Sequence, residues 1–117
     1  MGYMLLIVEK TGAREERTEA EGRVLYDRML QFSAELKARG LLKMSQALRT
    51  DALGTRVSVR DGRRSLVDGP FAEAKEMVGG FFLLDCDTKA QAIAIAAECP
   101  AAQWATVEVR ELGPCFT

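Results

Sequence analysis

The sequence predicts one α+β domain in which two helices pack on a β-sheet and an extra β-hairpin is inserted midway. Three observations predict this fold class. Two segments each begin with a helix capping box, short β-prone runs flank each of them, and an Asp-Gly turn joins two alternating runs between the halves. No linker, repeat or low-complexity segment interrupts residues 1–117, so the whole chain is predicted to form a single domain.

The first half predicts a strand followed by a helix. Residues 3–8 (YMLLIV) are a short apolar run rich in β-formers, which indicates a buried strand, and the polar residues 10–17 indicate a loop. Thr18 and Glu21 stand three residues apart as a capping box, and Gly40 suits the position after a helix end. One helical face is predicted to be buried, and it consists of Leu25, Met29, Phe32 and Leu36.

The middle of the chain predicts a weaker strand and then the hairpin. Residues 41–48 are the strand candidate, and residues 50–54 are a turn. Residues 56–60 (RVSVR) alternate with period two, Asp-Gly at 61–62 makes a tight turn, and residues 65–67 return. This hairpin is the most specific local signal in the sequence.

The second half repeats the strand–helix–strand order. The sequence DGPF at 68–71 breaks the preceding strand, and residues 71–77 are predicted to be a short helical turn or loop. Residues 78–85 are a strongly apolar strand, in which Gly79-Gly80 indicates a bulge or a close backbone approach.

The second helix follows directly. Thr88 and Gln91 form its capping box, Pro100 ends it, and residues 106–110 alternate as a final strand. Its predicted buried face is narrow and consists of Ala92, Ile93, Ala96 and Ala97.

This order of elements fits a ferredoxin-like sandwich, and the strand composition adds a homodimer to the prediction. Residues 3–8 and 78–85 are apolar on both pleat faces, as strands covered on both sides are. Right-handed crossovers place both helices on one face of such a sheet, which leaves the other face bare. We therefore expect a second copy to cover that face across a two-fold axis.

Composition excludes several functions. The 16 Lys and Arg balance 17 Asp and Glu and are mixed with them, so no basic patch for nucleic acid is expected. No apolar run approaches the roughly 20 residues of a membrane helix, and no signal peptide is recognisable, which predicts a cytoplasmic protein. The chain has no histidine, and its three cysteines, at 86, 99 and 115, are widely spaced. We therefore expect three reduced thiols, no metal site and no cofactor.

One segment carries a resemblance to a known family. The sequence DGPFAEAKE at 68–76, followed by GGFF at 79–82, closely resembles the signature of DGPF-domain proteins in the YCII-related family. Weaker similarity extends to residues 3–6, 47–48, 57–62 and the chain end at 100–102 and 107–110. The resemblance implies a dimeric α+β barrel, in agreement with the dimer predicted above.

The resemblance also suggests two kinds of activity. Many DGPF-domain proteins are similar to products encoded beside extracytoplasmic-function sigma factors, and most are uncharacterised. Other YCII-related proteins look like small-molecule enzymes, including dehydrochlorinase-type lyases, with a proposed His-Asp pair. That pair is not carried over, because this chain has no histidine.

The candidate site is the segment 68–76. A desolvated carboxylate at Asp68 or Glu73 is predicted to move a proton on a small substrate, while Lys75 or Arg56 holds an anionic group. Phe71, Phe81 and Phe82 are candidates for an aromatic pocket wall.

Structural roles explain the same residues. Asp68 can cap the turn that follows it, and Glu73 and Lys75 can belong to a solvated face. Phe71 and Phe81 can be core residues, and Arg56 with Arg60 can be an exposed hairpin face.

Two function hypotheses follow. The first is a small-molecule ligand-binding barrel or lyase-like enzyme working without histidine, which requires an apolar cavity with a few convergent polar groups. The second is a non-catalytic accessory or regulatory protein of a sigma-factor pathway, which requires an exposed apolar patch beyond the dimer face.

Overall fold

The computed structural model describes residues 2–116 as a mixed α+β fold with two helices and two antiparallel sheets. The bounds of the elements are β1 (Tyr3–Lys10), α1 (Glu19–Ala38), β2 (Leu42–Ala47), β3 (Thr55–Arg60), β4 (Arg63–Asp68), β5 (Glu76–Leu84), α2 (Lys89–Glu98) and β6 (Thr106–Glu111). Short 3₁₀ turns at Asp51–Leu53 and Pro100–Gln103 precede β3 and β6. The predicted order of strands and helices is confirmed. No helix among the described residues is both long and apolar enough to span a membrane.

The larger sheet has four strands in the order β2-β5-β1-β6, and each neighbouring pair is antiparallel. Alternate residues of β1 (Tyr3, Leu5 and Ile7) are buried with Phe32 and Leu36 of α1. Ala92, Ile95 and Ala96 of α2 belong to the same cluster. Both helices therefore cover one face of the sheet, as the crossover argument predicts.

Capping boxes start both helices where the sequence predicts them. The Thr18 hydroxyl accepts a hydrogen bond from the Glu21 N–H at 3.1 Å, and the Glu21 carboxylate accepts one from the Thr18 N–H at 3.0 Å. Hydrogen bonding of the Glu21 carboxylate to the Thr18 N–H, and secondly to the Thr18 side chain, lowers the pKa of Glu21. Thr88 and Gln91 repeat the arrangement at the start of α2.

The buried face of α2 is rotated by part of a helical turn from the predicted one, so the prediction is wrong for two of its four residues. Ile93 is half exposed and Ala97 is exposed, whereas Ile95 is buried beside Ala92 and Ala96. Nearly every residue in this helix is small or apolar, so the sequence contains little contrast from which to read the inward direction.

The start of β5 also differs from the prediction. Residues 71–74 form a turn closed by the Ala74 N–H donating to the Phe71 carbonyl at 2.9 Å, and the strand already begins at Glu76. The pairing of β1 with β5 shifts by one residue at Ile7/Val8, which leaves Gly79 as the extra residue of a bulge. The bulge predicted from Gly79-Gly80 is confirmed.

The sheet face opposite the helices is uncovered within the described chain. The apolar side chains on this open face are Met4, Leu6, Val8, Met44, Val78, Phe81 and Leu83. Polar side chains of β6 continue the same face along one edge. No element formed by residues 2–116 packs against this apolar surface.

Strands β3 and β4 form a separate two-stranded sheet, called the arm below (Thr55–Asp68). Its Asp61-Gly62 turn has positive φ angles of 53° and 75°, as a tight hairpin turn of this kind requires. All residues of the arm except Ser58 are exposed. The arm is therefore not part of the core.

Candidate functional site

A cavity of about 700 Å³ lies between the first half of α1 and the sheet. Ile7, Gly80 and Phe82 form its floor on the sheet side. Leu25 and Met29 of α1 line the cavity above this floor and are only half buried. The opposite walls consist of Tyr26, Leu30, Ala47, Leu48, Leu53 and Trp104.

An ion pair closes one end of this cavity. Glu9 is buried, and its two carboxylate oxygens accept hydrogen bonds from Nε and Nη2 of Arg14 at 2.8 and 3.1 Å. The same guanidinium donates from Nη1 to the Leu48 carbonyl at 2.8 Å and from Nη2 to the Gly79 carbonyl at 3.2 Å. Arg14 thus joins the end of β1, the residue after β2 and the bulge of β5, and four of its five N–H groups are used.

The bulge glycine makes space for this ion pair. A Cβ atom on Gly79 would lie 1.9 Å from Oε2 of Glu9 and 2.7 Å from Nη2 of Arg14. No side chain fits there while the pair is in place. Gly79 therefore leaves space for the ion pair at the polar end of the cavity, and Gly80 forms part of the cavity floor.

Further polar groups lie along the cavity wall. The Ser33 and Ser45 hydroxyls are 2.6 Å apart and hydrogen-bonded to each other. Arg17 and Arg49 also line the cavity, and within residues 2–116 neither guanidinium has an ion-pair or hydrogen-bond partner. Trp104 stands on the wall with the guanidinium of Arg28 5.2 Å from its ring centre. Two cations are thus left available to a ligand.

The structure places the predicted site residues elsewhere. Asp68 ends β4, where its carboxylate accepts a hydrogen bond from the Thr55 hydroxyl across the arm at 2.8 Å. The Arg56 guanidinium stacks on the Phe71 ring at 3.8 Å. Both contacts lie at the base of the arm and give these residues a structural role.

The other candidates do not join them around a cleft. Glu73 and Lys75 are exposed, and no contact joins either side chain to Asp68. Phe81 lies on the open face of the sheet, opposite the cavity. Of the seven predicted residues, Phe82 lines the cavity as part of its floor, and the other six do not. A catalytic role for Asp68 and Glu73 stays a prediction that activity measurements on variants can test.

The residues that sequence reasoning missed are Glu9 and Arg14. A signal for Glu9 is present, because it continues the inward-facing alternation of Tyr3, Leu5 and Ile7 in β1. An acidic residue in the buried phase of a strand needs a partner. The partner, Arg14, comes from the polar segment 10–17, which reads simply as a loop.

The three cysteines are all unpaired. Cys86 and Cys99 are buried, and burial raises the pKa of both thiols above the ordinary 9.0. Cys115 is exposed near the chain end. No cluster of three or more Cys, Asp or Glu side chains among residues 2–116 is placed to hold a metal ion.

We expect one fast-reacting thiol in the folded protein. Cys115 should react with a maleimide within minutes at pH 7.5, whereas Cys86 and Cys99 should react at least about a hundredfold more slowly, because they are buried and mostly protonated. Mass spectrometry of the labelled chain gives the count over time. The variant Cys115→Ser should show no fast phase, and a fast phase in that variant would contradict the burial of the other two thiols.

The fold and the cavity together define a small α+β domain with a ligand-sized pocket between helix and sheet. The sequence identifies its family: the YCII-related domain matches residues 1–115, and the chain belongs to this family. No curated protein matches the chain.

Proposed function

We propose that the protein is a homodimeric, DGPF-type member of the YCII-related family that binds a small organic acid in the cavity between α1 and the sheet. The observation that carries the proposal is the cavity itself, whose volume of about 700 Å³ falls in the range of small-molecule sites. Apolar side chains form much of its wall, and charged and polar side chains from β1, the following loop, α1 and the end of β2 complete it.

The charges around the cavity favour an anionic ligand. Arg14 is largely occupied by Glu9 and two backbone carbonyls. Arg17 and Arg49 outnumber the remaining acidic residue of the lining, Glu15, and neither guanidinium forms a hydrogen bond or an ion pair with a described residue, although the charge of Arg17 also acts on Glu21 outside the cavity. A carboxylate can use both arginines, while its apolar body lies against Leu25, Met29 and Trp104. The proposed ligand is therefore an apolar molecule with one acidic group.

A proton transfer in this cavity would use Glu9. It is the one buried carboxylate among the cavity-lining residues that the structure describes, and Arg14 fixes its orientation. A carboxylate held in this way can accept a proton from one carbon of a bound substrate while a leaving group on the neighbouring carbon departs with its bonding electrons and a double bond forms. The proton then passes to the leaving group or to water, which completes the elimination of a lyase without histidine. The proposal that the cavity binds an organic acid does not require that the protein also catalyses a reaction on it.

The homodimer rests on the open face of the sheet. The order β2-β5-β1-β6 is that of a ferredoxin-like sandwich, and its uncovered apolar face suits pairing with a second copy as a dimeric α+β barrel. The free thiols Cys86 and Cys99 suit the reducing cytoplasm, which is the location we propose.

A second candidate is the accessory protein of an extracytoplasmic-function sigma-factor pathway. The observation that favours it is the exposed apolar surface of the arm, which lies outside the open face. A partner protein would have to use that surface. The arm variants described below also test this candidate.

The ligand proposal is tested through the single tryptophan. Trp104 lines the cavity, so its fluorescence should change on titration with octanoate and change far less with 1-octanol, which has the same chain without the charge. Arg49→Ala and Arg17→Ala should each weaken octanoate binding about tenfold, because each removes one charge-assisted hydrogen bond. Arg23→Ala on the outer surface of α1 is the matched control and should bind as the wild type does.

The titration distinguishes binding from chemistry. Equal affinity for octanoate and 1-octanol, or no effect of either arginine variant, would contradict the proposed acid site. Loss of turnover on an acidic substrate in Glu9→Gln with ligand affinity retained would assign the proton transfer to Glu9. Loss of turnover in Asp68→Asn with unchanged melting temperature would instead assign it to the arm base.

A further inference from the structure

The arm has two different faces. The pairings Val57–Leu66 and Val59–Arg64 place Val57, Val59 and Leu66 on one face, together with Arg64 and, at the base of the arm, the pair Thr55–Asp68. These side chains are 62%, 58% and 56% exposed. The opposite face carries Arg56, Ser58, Arg60, Arg63, Ser65 and Val67. The arm therefore has a more apolar and a more basic face, although among residues 2–116 its valines and leucine belong to no core cluster.

The base of the arm is nevertheless fixed. The Gly69 N–H donates to the Gly54 carbonyl at 2.8 Å, directly beyond the hydrogen bond between Thr55 and Asp68. The stacking of Arg56 on Phe71 adds a third attachment. An isolated two-stranded hairpin is marginally stable in water, so these contacts hold in place a structure that lacks its own core.

The arm also extends the molecule. The Cα radius of gyration is 16.0 Å, whereas a compact chain of this length has about 13 Å. Strands of six residues at 3.4 Å per residue reach about 20 Å. Two sheets packed face to face lie about 10 Å apart, so the arm is long enough to reach past the edge of a partner's sheet.

We infer that the arm is a clasp for a second copy of this chain, and that its Val57–Val59–Leu66 face packs on the partner. This inference rests on the proposed homodimer. The open face supplies about a dozen side chains, whereas a standard stable interface uses about 20–30 residues a side. The arm face that carries Val57, Val59 and Leu66 has six side chains, three of them apolar, and these bring each copy close to that range. A two-fold axis uses both arms.

The other face of the arm stays in solvent in this arrangement. Arg56, Arg60 and Arg63 make it strongly basic, and a charged face suits the outside of a clasp. The apolar face then has one occupant that the chain itself provides. No second protein is needed to explain its exposed valines and leucine.

The test compares neighbouring positions on the two faces. Val57→Glu should raise the dimer dissociation constant about a hundredfold in sedimentation equilibrium, because it places a charge at the centre of the contact. Ser58→Glu is the matched control, since it adds the same charge to the same strand on the opposite face, and it should change the constant less than about threefold. Circular dichroism should show both variants folded, because neither residue belongs to the core.

A second measurement does not depend on destabilising the dimer. The photocrosslinker p-benzoylphenylalanine at position 57 should give covalent dimers under illumination, and at position 58 it should give almost none. Peptide mapping should place the position 57 crosslink on the other copy.

The possible results distinguish the clasp from the sheet-to-sheet dimer and from the ligand-binding cavity. A wild-type dimer that Val57→Glu leaves intact, without crosslinking from position 57, overturns the clasp and leaves the sheet-to-sheet dimer standing. A monomeric wild type at micromolar concentration overturns both, while the Trp104 titration still tests the cavity. Position 57 crosslinking to a different protein overturns the clasp and favours the accessory role.

Discussion

Replacing Gly69 with alanine should destabilise the protein by about 2–3 kcal/mol and loosen the arm. A Cβ atom at this position would lie 1.9 Å from the carbonyl oxygen of Asp51 and 3.3 Å from the Cα of Ala52. These are backbone atoms of the 3₁₀ turn Asp51–Leu53, so no side-chain rotation relieves the overlap. The turn and the base of the arm would have to separate.

Urea unfolding measures the free energy, and hydrogen exchange at the Gly69 and Thr55 amides measures the loosening. Gly22→Ala in α1 is the matched control, because a Cβ there meets nothing within 4 Å and alanine favours a helix by about 1 kcal/mol. Gly22→Ala should therefore be neutral or stabilising. A Gly69→Ala protein as stable as the wild type would contradict the close approach of the two backbones.

Replacing Arg14 with leucine should cost about 2 kcal/mol at neutral pH. The substitution leaves the Glu9 carboxylate buried without its cation and the Leu48 and Gly79 carbonyls without their donor. The side chain of Arg14 is 30% exposed, so the effect should be smaller than for a pair wholly out of water. Thermal and urea unfolding both report the loss.

The pair Arg23–Glu19 is the control for charge alone. Its side chains are 76% and 81% exposed at the surface of α1, and Arg23→Leu should change the stability by less than about 0.5 kcal/mol. The double variant Glu9→Leu with Arg14→Leu should regain part of the loss, because no unpaired carboxylate remains. Additive losses in the double variant would show that the two side chains do not act as a pair.

Much of the fold follows from local sequence chemistry. The capping boxes at Thr18 and Thr88 and the Asp61-Gly62 turn are local signals, and each one starts or turns an element where predicted. The bare sheet face also follows from sequence, because residues 3–8 are apolar on both pleat faces while two helices cover one side. The buried face of α2 cannot be predicted from the sequence, because the residues that point inward and those that point outward are similarly small and apolar.

The candidate site was harder to predict, because it depends on contacts between distant segments. The segment 68–76 contains the most distinctive sequence, yet Gly69 packs on the Asp51–Leu53 turn and Asp68 bonds Thr55 at the base of the arm. Glu9 and Arg14 are not part of a recognisable motif. Their ion pair forms only because Gly79, more than sixty residues further along the chain, leaves space for it. The distinctive segment 68–76 therefore forms the close backbone contacts at the base of the arm and does not line the cavity.

The way the arm is attached affects how this domain can evolve. Gly54 and Gly69 are joined by one backbone hydrogen bond, and beyond that bond the arm shares no core residue with the four-stranded sheet. Its length and sequence can therefore vary while the strands, helices and cavity keep their positions. The surface that selects a partner and the interior that holds a ligand are thus open to independent selection within one short chain.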